Sequence, residues 1–261
     1  MPKGEPGADS SDLVTSIFHG KNLLNLAKDL FGKDPVLWGR YFKGPGDTNH
    51  FQYQAALENA ALKARNIKLL PIARQTNHVG GNHALAVSDA QTQVDGLIAA
   101  FGIDFLANAG DDYYFFLDTE PGTPLSREYY VGWAETVINR SQNRSGGLFT
   151  IHPCIYLNRG DRPTCRALNQ AVNDDGAECR GAWVAHYLRH AAMSCVPMPD
   201  WDDGFATPVQ PITVPILLLQ YAGDCFGTNP NDPEDGPLDC NEVNPKINLK
   251  TDLLDHLILP P

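Results

Sequence analysis

"YYFFLDTEPG", residues 113 to 122, sets two acids, Asp118 and Glu120, at the end of five bulky residues, Tyr113 to Leu117. A continuous apolar run of this length reads as a strand buried on both faces, the kind found in a parallel sheet covered by helices. Side chains two apart on a strand point to one face, about 6.6 Å apart along the rise. Asp118 and Glu120 are therefore delivered together to the C-terminal end of that strand. Pro121 and Gly122 then turn the chain away and leave the second acid at a rim. Two carboxyls held this close repel each other, so one keeps its proton to higher pH. A protonated acid beside an ionised one is the pairing that glycosidic cleavage requires.

Working outward, further apolar runs alternate with segments of helical period. "LVTSIF" (13–18), "VLWGRYF" (36–42) and "IKLLPIA" (67–73) read as three strands before the acid-bearing one, and "LFTIHPCIYL" (148–157) as the strand after it. Between them lie "NLLNLAKDLFG", stopped by Gly32, then "FQYQAALENAALKARN" and "ALAVSDAQTQVDGLIAAFG". Ser126 is placed to cap the next helix, "SREYYVGWAETVINR", with Glu128 near its positive dipole end. "RPTCRALNQAV" is a fifth, shorter helix. The rhythm then changes: "AWVAHY" (182–187) and "PILLLQYA" (215–222) read as buried strands with no helical period between them, and "TDLLDHL" (251–257) is a late helical segment. This order predicts an α/β fold, an irregular TIM-type (β/α) barrel of about five β/α units followed by helix-poor strands. It is placed in one domain over residues 13–261, after a flexible tail at 1–12. An open doubly wound sheet would carry G-x-G-x-x-G after its first strand, and "SIFHGKNLL" lacks it.

The chain has 261 residues, is 43% hydrophobic and carries a formal net charge of −11 with no Lys/Arg cluster. Such a surface repels phosphate backbones, so no nucleic-acid partner is expected. No stretch approaches the roughly 20 apolar residues that span a bilayer. All six cysteines follow residue 153, and none forms a C-x-x-C pair. Their spacing suits disulfides in an oxidising compartment, with Cys165–Cys179 and Cys225–Cys240 favoured and buried reduced thiols as the alternative. This predicts a secreted, periplasmic or extracellular protein, although "MPKGEPGADSSD" holds no apolar segment of a signal peptide. Asn139 and Asn143 lie in N-x-S tripeptides.

"NHVGGNH" places His78 and His83 around two glycines, after the third strand. A metal there needs a third ligand, such as Asp47 or His50, and a metal-dependent hydrolase is a competing reading. No G-x-S-x-G and no H-x-H after strand one is present, and no cofactor is expected. Arg40, in "WGRYF", is expected inside the barrel as an ion-pair partner of the acids.

Three later segments follow the D-x-E strand in order: "WVAHY" (183–187), "QYAG" (220–223) and "DCNEVNP" (239–245). The set resembles the glycoside hydrolase family 25 lysozymes. It resembles more closely the bacterial glycoside-hydrolase-like family of unknown function related to them, also through "VLWGRYFKG" and "IKLLPIARQ". The resemblance covers roughly residues 13 to 245. It implies that Glu120 protonates the leaving sugar oxygen, and that Asp118 stabilises an oxocarbenium ion or an oxazolinium formed by the substrate's acetamido group. It also implies that Asp239 is a further acid, that Tyr187 and Gln220 line the sugar pocket, and that Trp183 and Tyr221 stack on a pyranose face. Family 25 lysozymes carry an acid in a G-x-D pattern ending strand one; here "SIFHGKN" puts His19 at the expected place, to hydrogen-bond a sugar or to mark an altered activity. The implied function is cleavage of an N-acetylhexosamine glycan such as peptidoglycan. The alternative is a non-catalytic carbohydrate-binding or cell-envelope protein on a degenerate barrel.

Overall fold

The computed structural model describes residues 3–43, 52–74, 78–190, 198–227 and 236–261. The protein is mixed α/β and is built on a closed barrel of eight strands. These are β1 (Pro6–Asp9), β2 (Leu37–Phe42), β3 (Lys68–Ala73), β4 (Asp112–Asp118), β5 (Thr150–Asn158), β6 (Ala182–His190), β7 (Ile216–Cys225) and β8 (Leu238–Val243). Strands β1 to β7 run parallel in chain order, whereas β8 is antiparallel to both of its neighbours, β7 and β1. The C-terminal ends of seven strands therefore share one rim, and the reversed β8 brings its N-terminal end to the same place.

The helices are α1 (Leu23–Phe31), α2 (Ala55–Ala64), α3 (His83–Phe101), α4 (Ile103–Ala109), α5 (Arg127–Ser145), α6 (Arg162–Asn173) and α7 (Asp203–Ala206). Gly32 ends α1 in the left-handed region at φ 74°, as a residue without Cβ allows. The Ser126 side chain caps α5 by accepting from the Tyr129 amide. Two apolar layers follow from strand alternation. Trp38, Phe42, Leu69, Phe115 and Leu117 face outward to helix residues such as Tyr129 and Trp133. Leu37, Ile72, Phe116 and Trp183 fill the lumen. The "TDLLDHL" segment forms a π-helical turn at Leu249–Leu253 and a 3-10 turn at Leu254–His256. It closes the end of the barrel away from the rim, where His256 stacks on Tyr114 at 4.3 Å between ring centroids.

The first strand corrects the sequence reading. Residues 6–9, expected within a loose tail, form β1 and are buried. "LVTSIF" is not a barrel strand; its end pairs as a short hairpin, 17–18 with 21–22, and Ile17 is 66% exposed. The lumen beside β1 leaves no room for large side chains: a Cβ added at Gly7 would meet Leu37 Cδ1 at 2.7 Å, and one at Gly39 would meet Asp9 Cβ at 2.7 Å. A strand built of Pro, Gly, Ala and Asp fits there because its neighbours supply the apolar surface.

The two favoured disulfide pairings, Cys165–Cys179 and Cys225–Cys240, are also overturned. Cys154, Cys165, Cys179 and Cys240 are free thiols, and Cys225, itself disulfide-bonded, stands 3.5 Å from Cys240 Sγ without a bond to it. Burial holds the Cys165 thiol up at about 12 and the Cys179 thiol at about 11, which keeps both protonated and inert. Cys195 lies outside the described residues. Among the described residues no helix is long and apolar enough to cross a membrane.

Candidate active site

Asp118 ends β4 with 6% exposure, and Glu120 stands exposed two residues on. The residue between them is fixed to the next strand: Thr119 donates to the Tyr156 carbonyl from its hydroxyl at 2.7 Å and from its amide at 3.2 Å. That clamp turns Thr119 toward β5 and leaves both acids on the lumen side. Asp9 from β1 and Asp239 from β8 join them around one small pocket, walled by Tyr41, Ile72, Tyr156, Trp183, Tyr187 and Gln220. Above it opens a cleft of about 830 Å³, reached by Glu120, Asp224, Asp239, Arg159, His186 and Tyr187.

Gln220, 1% exposed, ties this cluster together. Its Nε2 donates to Asp9 Oδ1 at 3.1 Å and to Asp239 Oδ2 at 3.0 Å. Its Oε1 accepts from the hydroxyls of Tyr156 at 2.7 Å and Tyr187 at 3.0 Å. Asn241 donates to the same Asp9 oxygen at 2.6 Å, and its own Oδ1 accepts from Trp183 Nε1 at 2.8 Å. Asp224, at φ 57°, donates its amide to Asp239 Oδ1 at 2.8 Å. Gly223 makes the neighbouring space, because a Cβ there would lie 2.7 Å from the Tyr187 ring.

The electrostatics follow from burying acids among neutral donors. Burial raises the Asp9 carboxyl to about 7; the amides of Asn241 and Gln220 oppose this, and nearby Glu120 and Asp224 reinforce it. Desolvation therefore outweighs two hydrogen bonds. Asp239 is pushed well above the carboxylate range, first by burial and then by Asp9, against the Asp224 amide. Tyr41 is held protonated far above the ordinary tyrosine range by burial, with Asp118, Asp9, Asp239 and Glu120 all adding to it. The site thus offers protonated acids and phenols beside acceptor oxygens, which suits proton transfer to a polar substrate.

Of the residues singled out in the sequence, Asp118, Glu120, Asp239, Trp183, Tyr187 and Gln220 line the pocket together. Three others do not. Arg40 points outward from β2, fully buried, where it donates to Glu58 Oε2 from Nε at 2.8 Å and to the Ser10 carbonyl at 2.7 Å. Tyr221 sits in the outer apolar layer, because its strand neighbour Gln220 already faces inward. His19, exposed, donates from Nε2 to the Phe226 carbonyl at 2.9 Å and is not among the residues lining the cleft. Asp9 holds the strand-one position, in the G-x-D of Gly7 to Asp9. Trp183 forms the pocket floor, 2% exposed and edge-on to Tyr156 at 4.8 Å, and presents no open stacking face.

Sequence reasoning missed Asp9, Tyr41, Tyr156 and Asn241. His78 pairs with Asp89 at 3.1 Å and His83 with Glu135 at 3.8 Å, so the two histidines do not converge; Asp47 and His50 lie outside the described residues.

No family model matches the chain, and no curated protein matches it. Among solved structures, it is similar to an uncharacterized B. stearothermophilus protein, with a TM-score of 0.66 at 19% identity over 98% of this chain and 100% of that one. It is also similar to the catalytic domain of an endolysin from a Listeria monocytogenes bacteriophage, with a TM-score of 0.51 at 13% identity over 97% and 98% of the two chains. At these identities the likeness is one of fold, and it extends over nearly the whole length of all three chains.

Proposed function

We propose that this protein is a glycoside hydrolase that cleaves an N-acetylhexosamine glycan such as peptidoglycan by acid catalysis at the barrel rim. The observation that carries the reading is the meeting of Asp9, Asp118, Glu120 and Asp239 at the foot of an open cleft. The fold shared with an endolysin catalytic domain adds support.

In this reading Glu120, at the rim and open to the cleft, gives its proton to the glycosidic oxygen as the bond to the anomeric carbon breaks. Asp118, deeper on the same strand, carries the negative charge that steadies the developing cation, or orients the substrate's acetamido group to attack as an internal nucleophile. Water then adds at the anomeric carbon and returns a proton to Glu120. Asp9 and Asp239, held close by the Gln220 amide, keep a proton near neutral pH and donate to sugar hydroxyls, while the Tyr187 oxygen, its proton given to Gln220, is an acceptor for one. The G-x-D acid at Asp9 removes the feature that favoured a non-catalytic barrel.

The test is release of reducing ends from purified peptidoglycans and chitin oligomers by the wild type, Glu120→Gln and Asp118→Asn. Turnover by the wild type, lost in both variants while their melting curves stay unchanged, is expected. No turnover on any of these glycans, or full activity in Glu120→Gln, would refute it.

A further inference from the structure

One wall of the cleft departs from the acidic character of the rest. Glu120, Asp224 and Asp239 supply carboxylates to it, while Asn158 ends β5, Arg159 and Gly160 follow it, and His186 lies midway along β6. A guanidinium carries five N–H donors. In Arg159 the Nη2 group donates to the Gly204 carbonyl at 3.1 Å, and the buried Nε has no hydrogen-bond partner among the described residues. Other arginines of the protein are matched: Arg127 with Asp175, Arg140 with Asp95 and Arg180 with Glu178. No carboxylate among the described residues forms an ion pair with Arg159. A cation facing a cleft, with donors to spare and no counter-charge, is a binding group for an anion.

The neighbouring His186 is fixed for a complementary task. Its ring stacks on Phe205 at 3.7 Å, and its Nδ1 lies 3.0 Å from the Phe205 carbonyl. A carbonyl only accepts, so Nδ1 carries the proton and Nε2 of the neutral ring is left as an acceptor. Burial, with Arg159 adding to it, lowers the histidine below its ordinary range and keeps it neutral. The pair therefore presents a fixed cation beside a hydroxyl acceptor.

We propose that Arg159 forms a subsite for an anionic substituent, carboxylate or phosphate, on an N-acetylhexosamine glycan, with His186 accepting from a hydroxyl of the same sugar. This deepens the hydrolase reading and rests on it for the glycan. In a protein of net charge −11 the general field opposes anions, so selection of an anionic sugar depends on this one wall.

The experiment compares kcat/KM on three substrates: peptidoglycan strands stripped of peptide, whose carboxylates are free; the same strands methyl-esterified; and phosphorylated chitin oligomers beside unmodified ones. The wild type is expected to favour an anionic strand over its neutral counterpart at least tenfold, mainly through KM. Arg159→Gln should reduce that ratio at least fivefold, and Arg159→Lys should restore part of it. The anion with the larger ratio identifies the substituent. A wild type indifferent to substrate charge, or an Arg159→Gln ratio equal to the wild type's, overturns the proposal. Should Arg159→Gln fail to fold, the wild-type ratio measured across salt decides: it must shrink as salt rises. Calorimetry with Glu120→Gln separates the two readings. Charge-dependent binding without turnover in the wild type retains the subsite and removes the hydrolase, and cleavage blind to charge does the reverse.

Discussion

On the outer face of the barrel, Glu58 is sealed at 0% exposure and each of its oxygens is met by the Arg40 guanidinium; at the rim Asp9, 2% exposed, is met by the side-chain amides of Gln220 and Asn241. Glu58 also accepts from the amides of Val14 and Gln54, so charge and hydrogen bonds are both balanced. Asp9 has hydrogen bonds but, among the described residues, no opposite charge, and Glu120 and Asp224 nearby make matters worse. The same price of burial is met in one place by a cation and in the other by a retained proton. A carboxylate locked to arginine holds α2 against β2. A carboxyl that keeps a labile proton beside a cleft can take part in chemistry.

The largest expected effect breaks the comparison on the rim side. Glu120→Gln should lower glycan cleavage by about 10²- to 10⁴-fold, the range for a general acid, with no change in melting. Loss of folding together with activity would make Glu120 structural instead. On the other side, Glu58→Gln leaves Arg40 buried beside a neutral amide. It should destabilise the fold by about 3–5 kcal/mol, seen as a drop in melting temperature of roughly 10 °C. A shift below about 1 kcal/mol would mean that Arg40 does not depend on that charge.

A third prediction concerns pH. The Asp9 carboxyl is raised from 3.8 to about 7 in the folded state, so between these values the folded chain binds a proton that the unfolded chain has released. This carboxyl should therefore make stability fall as pH rises from 4 to 7, by up to about 4 kcal/mol, in addition to the fall that the raised Asp239 carboxyl contributes. Asp9→Asn should make that slope shallower, as read from denaturant midpoints across the range; an unaltered slope would assign it elsewhere. The smallest effect provides the contrast. Lys21 and Asp29, 54% and 56% exposed, form a surface pair, and Lys21→Ala should change stability by less than about 0.5 kcal/mol.

Much of the barrel was legible in the sequence because its middle strands are continuous apolar runs. "YYFFLD" is β4, "IKLLPIA" contains β3, and the stop at Gly32 and the cap at Ser126 are where their residue types placed them. The first strand was hidden because its four residues, Pro6 to Asp9, carry no apolar period; their burial comes from Leu37 and Trp38 across the sheet. The signal that marks it is the G-x-D spacing of Gly7 to Asp9, which lies ahead of "LVTSIF" in the chain. Arg40 and Tyr221 were misplaced by neglecting parity. With Leu37 and Gly39 inside, Tyr41 points in and Arg40 points out, and Gln220 and Tyr221 as neighbours cannot both face the lumen. Tyr156 and Asn241 were missed because a lone polar group in an apolar strand gains meaning only once the pocket is closed around it.

A proton held at the barrel rim near neutral pH is what sets this site apart from the rest of the protein. Carbon-13 NMR titration of the aspartate side-chain carboxyls, run on wild type and Asp9→Asn, observes it directly. One carboxyl should titrate with a midpoint near 7 in the wild type and vanish from the variant. If every aspartate carboxyl, Asp9 included, has lost its proton by pH 5, the rim is no different from the surface and the account is wrong.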